Sequence, residues 1–142
     1  MADAHDIPRL VAEQLALVRR PERRRALESL LVEPREEWRE WDYGEPGEGF
    51  AYWVVGEALE QGIVLAYCEH GFGPQFPWGI LFVDAPGQVS PEPHTLGMDA
   101  QWNWYLEEAF VRAGLWAGAR DPDELWMLSP KERFGTLPRA EP

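Results

Sequence analysis

Three runs in the middle of the chain, Phe50 to Ala58, Ile63 to Glu69 and Trp78 to Val83, carry large apolar side chains at both alternating positions. Successive side chains on a strand point to opposite faces, so Ile63, Leu65 and Tyr67 share one face while Val64, Ala66 and Cys68 share the other. A strand with one wet face alternates apolar with polar; these runs do not, and the pattern predicts a sheet covered at least partly on both sides. Turn chemistry divides the runs, with Glu60-Gln61-Gly62 after the first and the Gly- and Pro-rich segment from Gly71 to Pro77 after the second. Before them, Trp38 alternates with charged neighbours up to Tyr43, and Gly44 to Gly49 reads as an exposed turn. The expectation is an antiparallel sheet of three to four strands.

Helical spacing brackets this sheet. Asp6 with Pro8 reads as a helix start, and Ile7, Leu10, Val11, Leu15 and Val18 recur on one stripe to about Arg20. Pro21 restarts the count, and Leu27, Leu30 and Leu31 form a second stripe ending before Pro34. Beyond the loop from Ala85 to Pro93, Asp99 is expected to cap a helix through Ala113, with Trp102, Leu106, Ala109 and Phe110 on one face and Gly114 as terminator. Trp102 and Trp104 cannot share a helical face, which leaves one of them near the surface. Asp121-Pro122-Asp123-Glu124 reads as a further helix start, with Leu125, Trp126 and Leu128 packing. The result is one α+β domain over residues 1–142: a helical segment at 7–33, a sheet region at 36–84 and a helical region at 99–134.

The net charge of −12 is unevenly placed. Residues 1 to 33 balance six acids with six arginines, whereas Glu40 to Glu108 holds twelve carboxylates and neither Lys nor Arg. Phosphate binding runs on Lys and Arg, so nucleic acid is a poor partner for this body, and a basic protein surface is a good one. The arginines at 19, 20, 23, 24 and 25 read as the solvated face of an amphipathic helix, or as partners for the acidic body. One cysteine makes no internal disulfide, no secretion signal is evident, and no apolar run approaches the roughly 20 residues of a membrane helix. A cytoplasmic protein without membrane contact is expected.

Chemistry is sparse. Cys68 and His70 are placed for a thiolate–imidazole pair or half a metal site, but two ligands do not make a zinc site; no metal and no cofactor is expected. Glu69 and His70, with His94 or Asp99, form the best acid–base constellation, and no nucleophile elbow or phosphate-binding glycine motif supports it. The loop from Gly71 to Gly79 alternates Gly and Pro with Phe72, Phe76 and Trp78. It suits either a binding loop or a plug over one end of the sheet.

An acidic, Trp-rich α+β chain without catalytic signature, whose Glu40 to Glu108 body carries the Gly71-Phe72-Gly73-Pro74 loop beside Pro77-Trp78-Gly79, resembles the immunity proteins that bacteria use against polymorphic or contact-dependent toxins. The resemblance implies a non-enzymatic inhibitor that covers a toxin's active site by presenting carboxylates to a basic cleft. Glu45, Glu48, Glu57, Glu60, Glu69 and Asp99 are then the candidate carboxylates, and Phe72, Phe76, Trp78 and Trp102 the apolar anchors. The competing classes are a small enzyme or ligand-binding domain with a pocket at Glu69, His70 and His94, and a structural homo-oligomer.

Overall fold

The computed structural model describes residues 3–118. The expected helix start at Asp121 and the helical region beyond 118 lie outside the described residues. Two helices lead, α1 (Asp6–Ala16) and α2 (Pro21–Glu28), the second with its proline at the helix N-terminus, where the missing N–H has no intrahelical partner to lose. Five strands follow, β1 (Leu31–Glu40), β2 (Gly49–Ala58), β3 (Ile63–Tyr67), β4 (Trp78–Phe82) and β5 (Trp102–Asn103), and α3 (Leu106–Arg112) closes the described chain. Each strand pairs antiparallel with the next, giving the order β1-β2-β3-β4-β5. The fold is α+β, with five strands where three to four were expected.

The fifth strand, β5, comes from a segment that local pattern had given to a helix, and β1 starts at Leu31, inside the expected helical segment, where strand pattern was expected only from Glu36. The second N-terminal helix stops at Glu28, and Leu31 opens β1, so Pro34 lies inside a strand and does not follow a helix. Pro34 is tolerated because β1 is an edge strand whose register with β2 slips between Leu31 and Arg35, which spares the sheet a missing donor. The expected helix from Asp99 to Ala113 is likewise broken into a 3-10 turn at Asp99–Gln101, strand β5, and a short α3. Trp102 is the reason. Its ring occupies the space that a side chain on Gly79 would fill, and its indole N–H donates to Leu96 O at 2.8 Å. The buried Glu108 then starts α3 by accepting from Trp104 N at 3.0 Å.

The sheet is covered on both faces, as its double alternation requires. On one face Val55, Ile63, Leu65, Trp78 and Ile80 pack against Ile7, Val11, Val18 and Leu27 of the N-terminal segment and Leu106 and Phe110 of α3. On the other, Tyr52, Val54, Val64, Ala66, Cys68 and Leu81 form a second core. That core is closed by Leu96 and Trp102, with the partly buried Trp41, Phe50, Phe72 and Phe76 around them. Loops supply this cover. The strap between β4 and β5 is tied to the far end of β1, where Leu96 N donates to Glu40 O at 3.0 Å and Gly97 N to Asp42 Oδ1 at 2.8 Å. Arg39 reinforces the closure by donating to Thr95 O at 3.2 Å and to Phe82 O at 3.0 Å.

The arginine-rich helix is not uniformly solvated. Arg23 is buried and donates to Glu107 Oε2 at 2.6 Å, so one arginine of the cluster pairs with the acidic body, while Arg19 and Arg25 are exposed. A buried ion pair of this kind fixes the docking of α2 on α3 more than it adds net stability.

Candidate functional site

The turn between β1 and β2 concentrates charge because its own backbone needs carboxylates to hold it. Trp41 to Gly44 and Glu45 to Glu48 form two successive turns, closed by Gly44 N to Trp41 O at 3.1 Å and Glu48 N to Glu45 O at 2.9 Å. Pro46 sets the entry to the second turn, and Gly47, at φ +89°, supplies the left-handed position that follows. Glu40 Oε2 accepts from Gly47 N at 2.8 Å, and Glu48 Oε1 accepts from Glu45 N at 2.9 Å. Asp42 receives Thr95 Oγ1 and Gly97 N, each at 2.8 Å. Glu45 is exposed, and its carboxylate makes no hydrogen bond with the described residues. None of Glu40, Asp42, Glu45 and Glu48 forms an ion pair with a described residue.

Aromatic residues alternate with the first of these carboxylates in sequence, Glu40-Trp41-Asp42-Tyr43. Tyr43, 53% exposed, meets Trp41 at a centroid distance of 6.0 Å and Phe72 at 5.7 Å, with interplanar angles of 71° and 89°. Trp41 meets Phe72 at 6.4 Å and 82°, and Phe50 at 5.1 Å. The Trp41 indole N–H is buried without a hydrogen-bond partner among the described residues, a deficit that typically costs about 1 to 3 kcal/mol. Trp38, 55% exposed, lies on the neighbouring edge strand, where its ring occupies the space a side chain on Gly49 would take.

The structure gathers only part of the expected site. Glu45 and Glu48 are in the turn, whereas Glu60 follows the opposite end of β2 in the 3-10 turn Leu59–Gln61. Glu57 is half-buried and bonded to Arg35 at 2.6 Å, so its charge is already met. Asp99 is exposed at the start of its own 3-10 turn, and Glu69 stands beside His70 at 3.7 Å. Trp78 and Trp102 are buried, at 2% and 4% exposure, and offer a partner no surface. Trp78 faces the core under the helices, and Trp102 fills the gap over Gly79. Phe72 and Phe76 are half-buried against the second core; the loop between β3 and β4 folds back as a plug. Sequence reasoning missed Glu40, Asp42, Trp41 and Tyr43 as members of one site, although their closeness to the exposed Gly44 to Gly49 turn was a usable signal.

The acid–base constellation is divided. His70 sits beside Glu69 past one end of the β3–β4 ladder, and His94 sits 3.3 Å from Asp84 past the other. A cleft of about 150 Å³ lined by Gln61, Phe82, Val83, Gln88 and Val89 among others includes none of Glu69, His70 and His94. Its volume is below the roughly 300 Å³ at which small-molecule sites begin. Cys68 is buried with its Sγ 3.5 Å from Ala51 O, and burial pushes its thiol up, while His70 is half-exposed, so the two do not form a thiolate–imidazole pair. Among the described residues no three His, Cys, Asp or Glu side chains gather as metal ligands, and no helix is long and apolar enough to cross a membrane.

Comparison with protein-family models, curated proteins and solved structures finds no match to the chain.

Proposed function

We propose that the chain is a protein-binding inhibitor of the immunity type, which engages a basic partner, a bacterial toxin domain, through the turn between β1 and β2. The observation that carries this reading is the set of four carboxylates, Glu40, Asp42, Glu45 and Glu48, that have no ion-pair partner among the described residues and flank the exposed Tyr43. Like charges crowded on a small turn repel one another, and an oppositely charged surface relieves that cost. The field steers the encounter, and the aromatic centre supplies the desolvated contact that slows dissociation. Action on a toxin within the producing cell's cytoplasm follows from the same reading.

The test begins with a pull-down from the source cell at low salt, followed by stopped-flow association with the retained protein. Raising the salt shortens electrostatic screening from about 30 Å to about 8 Å, and the association rate is expected to fall by about tenfold. Glu45→Lys is the informative substitution, because Glu45 projects from the turn while Glu48 also holds it. It should slow association with little change in dissociation. A retained partner that is acidic, or a rate indifferent to both salt and Glu45→Lys, removes the inhibitor reading.

A further inference from the structure

We propose that the outer edge of β1 is a self-association surface, on which the same edge of a second copy of this chain pairs antiparallel about Glu36 and joins two five-stranded sheets into one. The edge is separate from the turn of the protein-binding reading and does not depend on it. Trp41 N donates to Glu48 O, and this pair continues the register that sets Arg39 against Phe50, Glu37 against Tyr52 and Arg35 against Val54. Bonded residues alternate along an antiparallel ladder, so Arg35, Glu37 and Arg39 turn their N–H and C=O groups to β2, while Glu36 and Trp38 turn theirs outward. Glu40 follows the same alternation, its O accepting from Leu96 N outside the sheet. Pro34 O also points outward, because it lies across one planar peptide from the Arg35 N–H. No described residue bonds the backbone of Glu36 or Trp38 on that side, and residues 35–38 are all exposed.

The open stretch fixes the register, and its charges are complementary to a second copy in that register. The strap closes the edge at Glu40 and the register slip ends regular pairing before Arg35, so the free groups run over residues 34–38, with Glu36 at their centre. A two-fold axis through that centre sets Glu36 against its own copy, Arg35 against Glu37 and Pro34 against Trp38. Glu36 then exchanges N–H to O bonds with its copy in both directions, and each Trp38 N donates to Pro34 O of the other chain. Pro34 has no N–H to leave unpaired in that ladder, and Trp38 O stays open to water at its end. Arg35 and Glu37 share a face of the strand, with Arg35 Nε 2.7 Å from Glu37 Oε2. Set against their copies they form a checkerboard of alternating charge, which stabilises a strand pair, whereas like charges directly opposite destabilise one. Moving the axis one residue, to Glu37, would set Glu37 against itself and Arg35 against Arg39. Within residues 34–38 the one like-charged contact is Glu36 with its copy. Trp38, 55% exposed, comes opposite Pro34 of the other chain and loses open surface.

The test follows the intact chain by sedimentation velocity and amide NMR from about 20 μM to about 1 mM. Salt is held at about 0.15 M, where repulsion between two chains of charge −12 is screened over about 8 Å. The natural chain is expected to pass from monomer to dimer with a dissociation constant below about 500 μM. The Glu36 and Trp38 amide signals should move with concentration and gain protection from exchange. Arg35→Glu makes the facing positions all acidic and Glu37→Arg makes them all basic, so each variant should dimerise at least about tenfold more weakly. An equimolar mixture of the two sets opposite charges against each other and should associate to within about threefold of the natural chain. Glu36→Gln removes the like-charged contact and should tighten the dimer by about twofold or more.

A chain that stays monomeric at about 1 mM, or that dimerises without change at the Glu36 and Trp38 amides, overturns the proposal. A mixture of Arg35→Glu and Glu37→Arg that associates no better than either variant alone overturns it as well, because the facing residues are then not these. Arg35 also bonds Glu57, and Glu37 also bonds Tyr52. Where either variant fails to fold, the concentration and amide measurements on the natural chain decide by themselves. Capture of a basic partner at the turn between β1 and β2 moves none of these outcomes, so the two readings stand or fall separately.

Discussion

Trp102 lies over Gly79, its indole ring in the space that any side chain at residue 79 would claim. Gly79 and Trp102 are cross-strand partners in β4 and β5, so the missing side chain of one makes room for the large side chain of the other. Gly79→Ala should therefore overpack the second core and lower stability by about 1 to 3 kcal/mol. Urea unfolding would show a lower midpoint with an unchanged slope. An unchanged midpoint would mean that the ring moves aside freely.

Tyr52 is buried with its hydroxyl between two charged groups, accepting from Arg39 Nε at 3.0 Å and donating to Glu37 Oε1 at 3.0 Å. Tyr52→Phe removes both bonds while preserving the ring. Because Glu37 is open to water, which replaces part of the loss, the expected cost is about 1 to 2 kcal/mol. A double-mutant cycle with Glu37→Gln should return a coupling of about 0.5 kcal/mol or more; additive single effects would show that the bridge contributes nothing.

Glu37 also sets a pH dependence. Its carboxyl is held below the usual carboxylate range, first by the hydrogen bond from Arg35 and further by that from Tyr52. A carboxyl lowered on folding contributes stability that is fully present above the unfolded value, near 4.3 for glutamate, and is lost as pH falls through the folded value. The stability difference between the natural chain and Glu37→Gln should accordingly be constant from neutral pH down to about 5 and shrink below that. A difference that grows on acidification would contradict this linkage.

The thiol of Cys68 lies in the second core, and burial raises it away from the reactive thiolate form. Thiolate is the nucleophile in disulfide exchange, so an aromatic disulfide reagent should label the native chain only as fast as the core opens. In urea the single cysteine should react at once. Rapid stoichiometric labelling without denaturant would place Cys68 nearer the surface.

The local pattern determined the features that depend on neighbours in sequence. Period-two alternation placed β2, β3 and β4 and required cover on both faces, because side-chain direction on a strand is fixed by backbone geometry alone. Turn residues located the exposed segment from Gly44 to Gly49, and the absence of Lys and Arg between Glu40 and Glu108 identified the acidic body. Tertiary structure decided what depends on partners distant in the chain. Residues 99 to 113 carry a helical stripe, yet the cavity over Gly79 and the Leu96 carbonyl draw Trp102 into a strand. Pro34 stops a helix by local rules but sits in β1 because an edge strand with a register slip does not need its N–H. The fate of the carboxylates was also a matter of packing: Glu57 meets Arg35, Glu48 caps its own turn, and Glu45 faces water. Composition counts charges, but only the folded chain decides which of them remain unmatched.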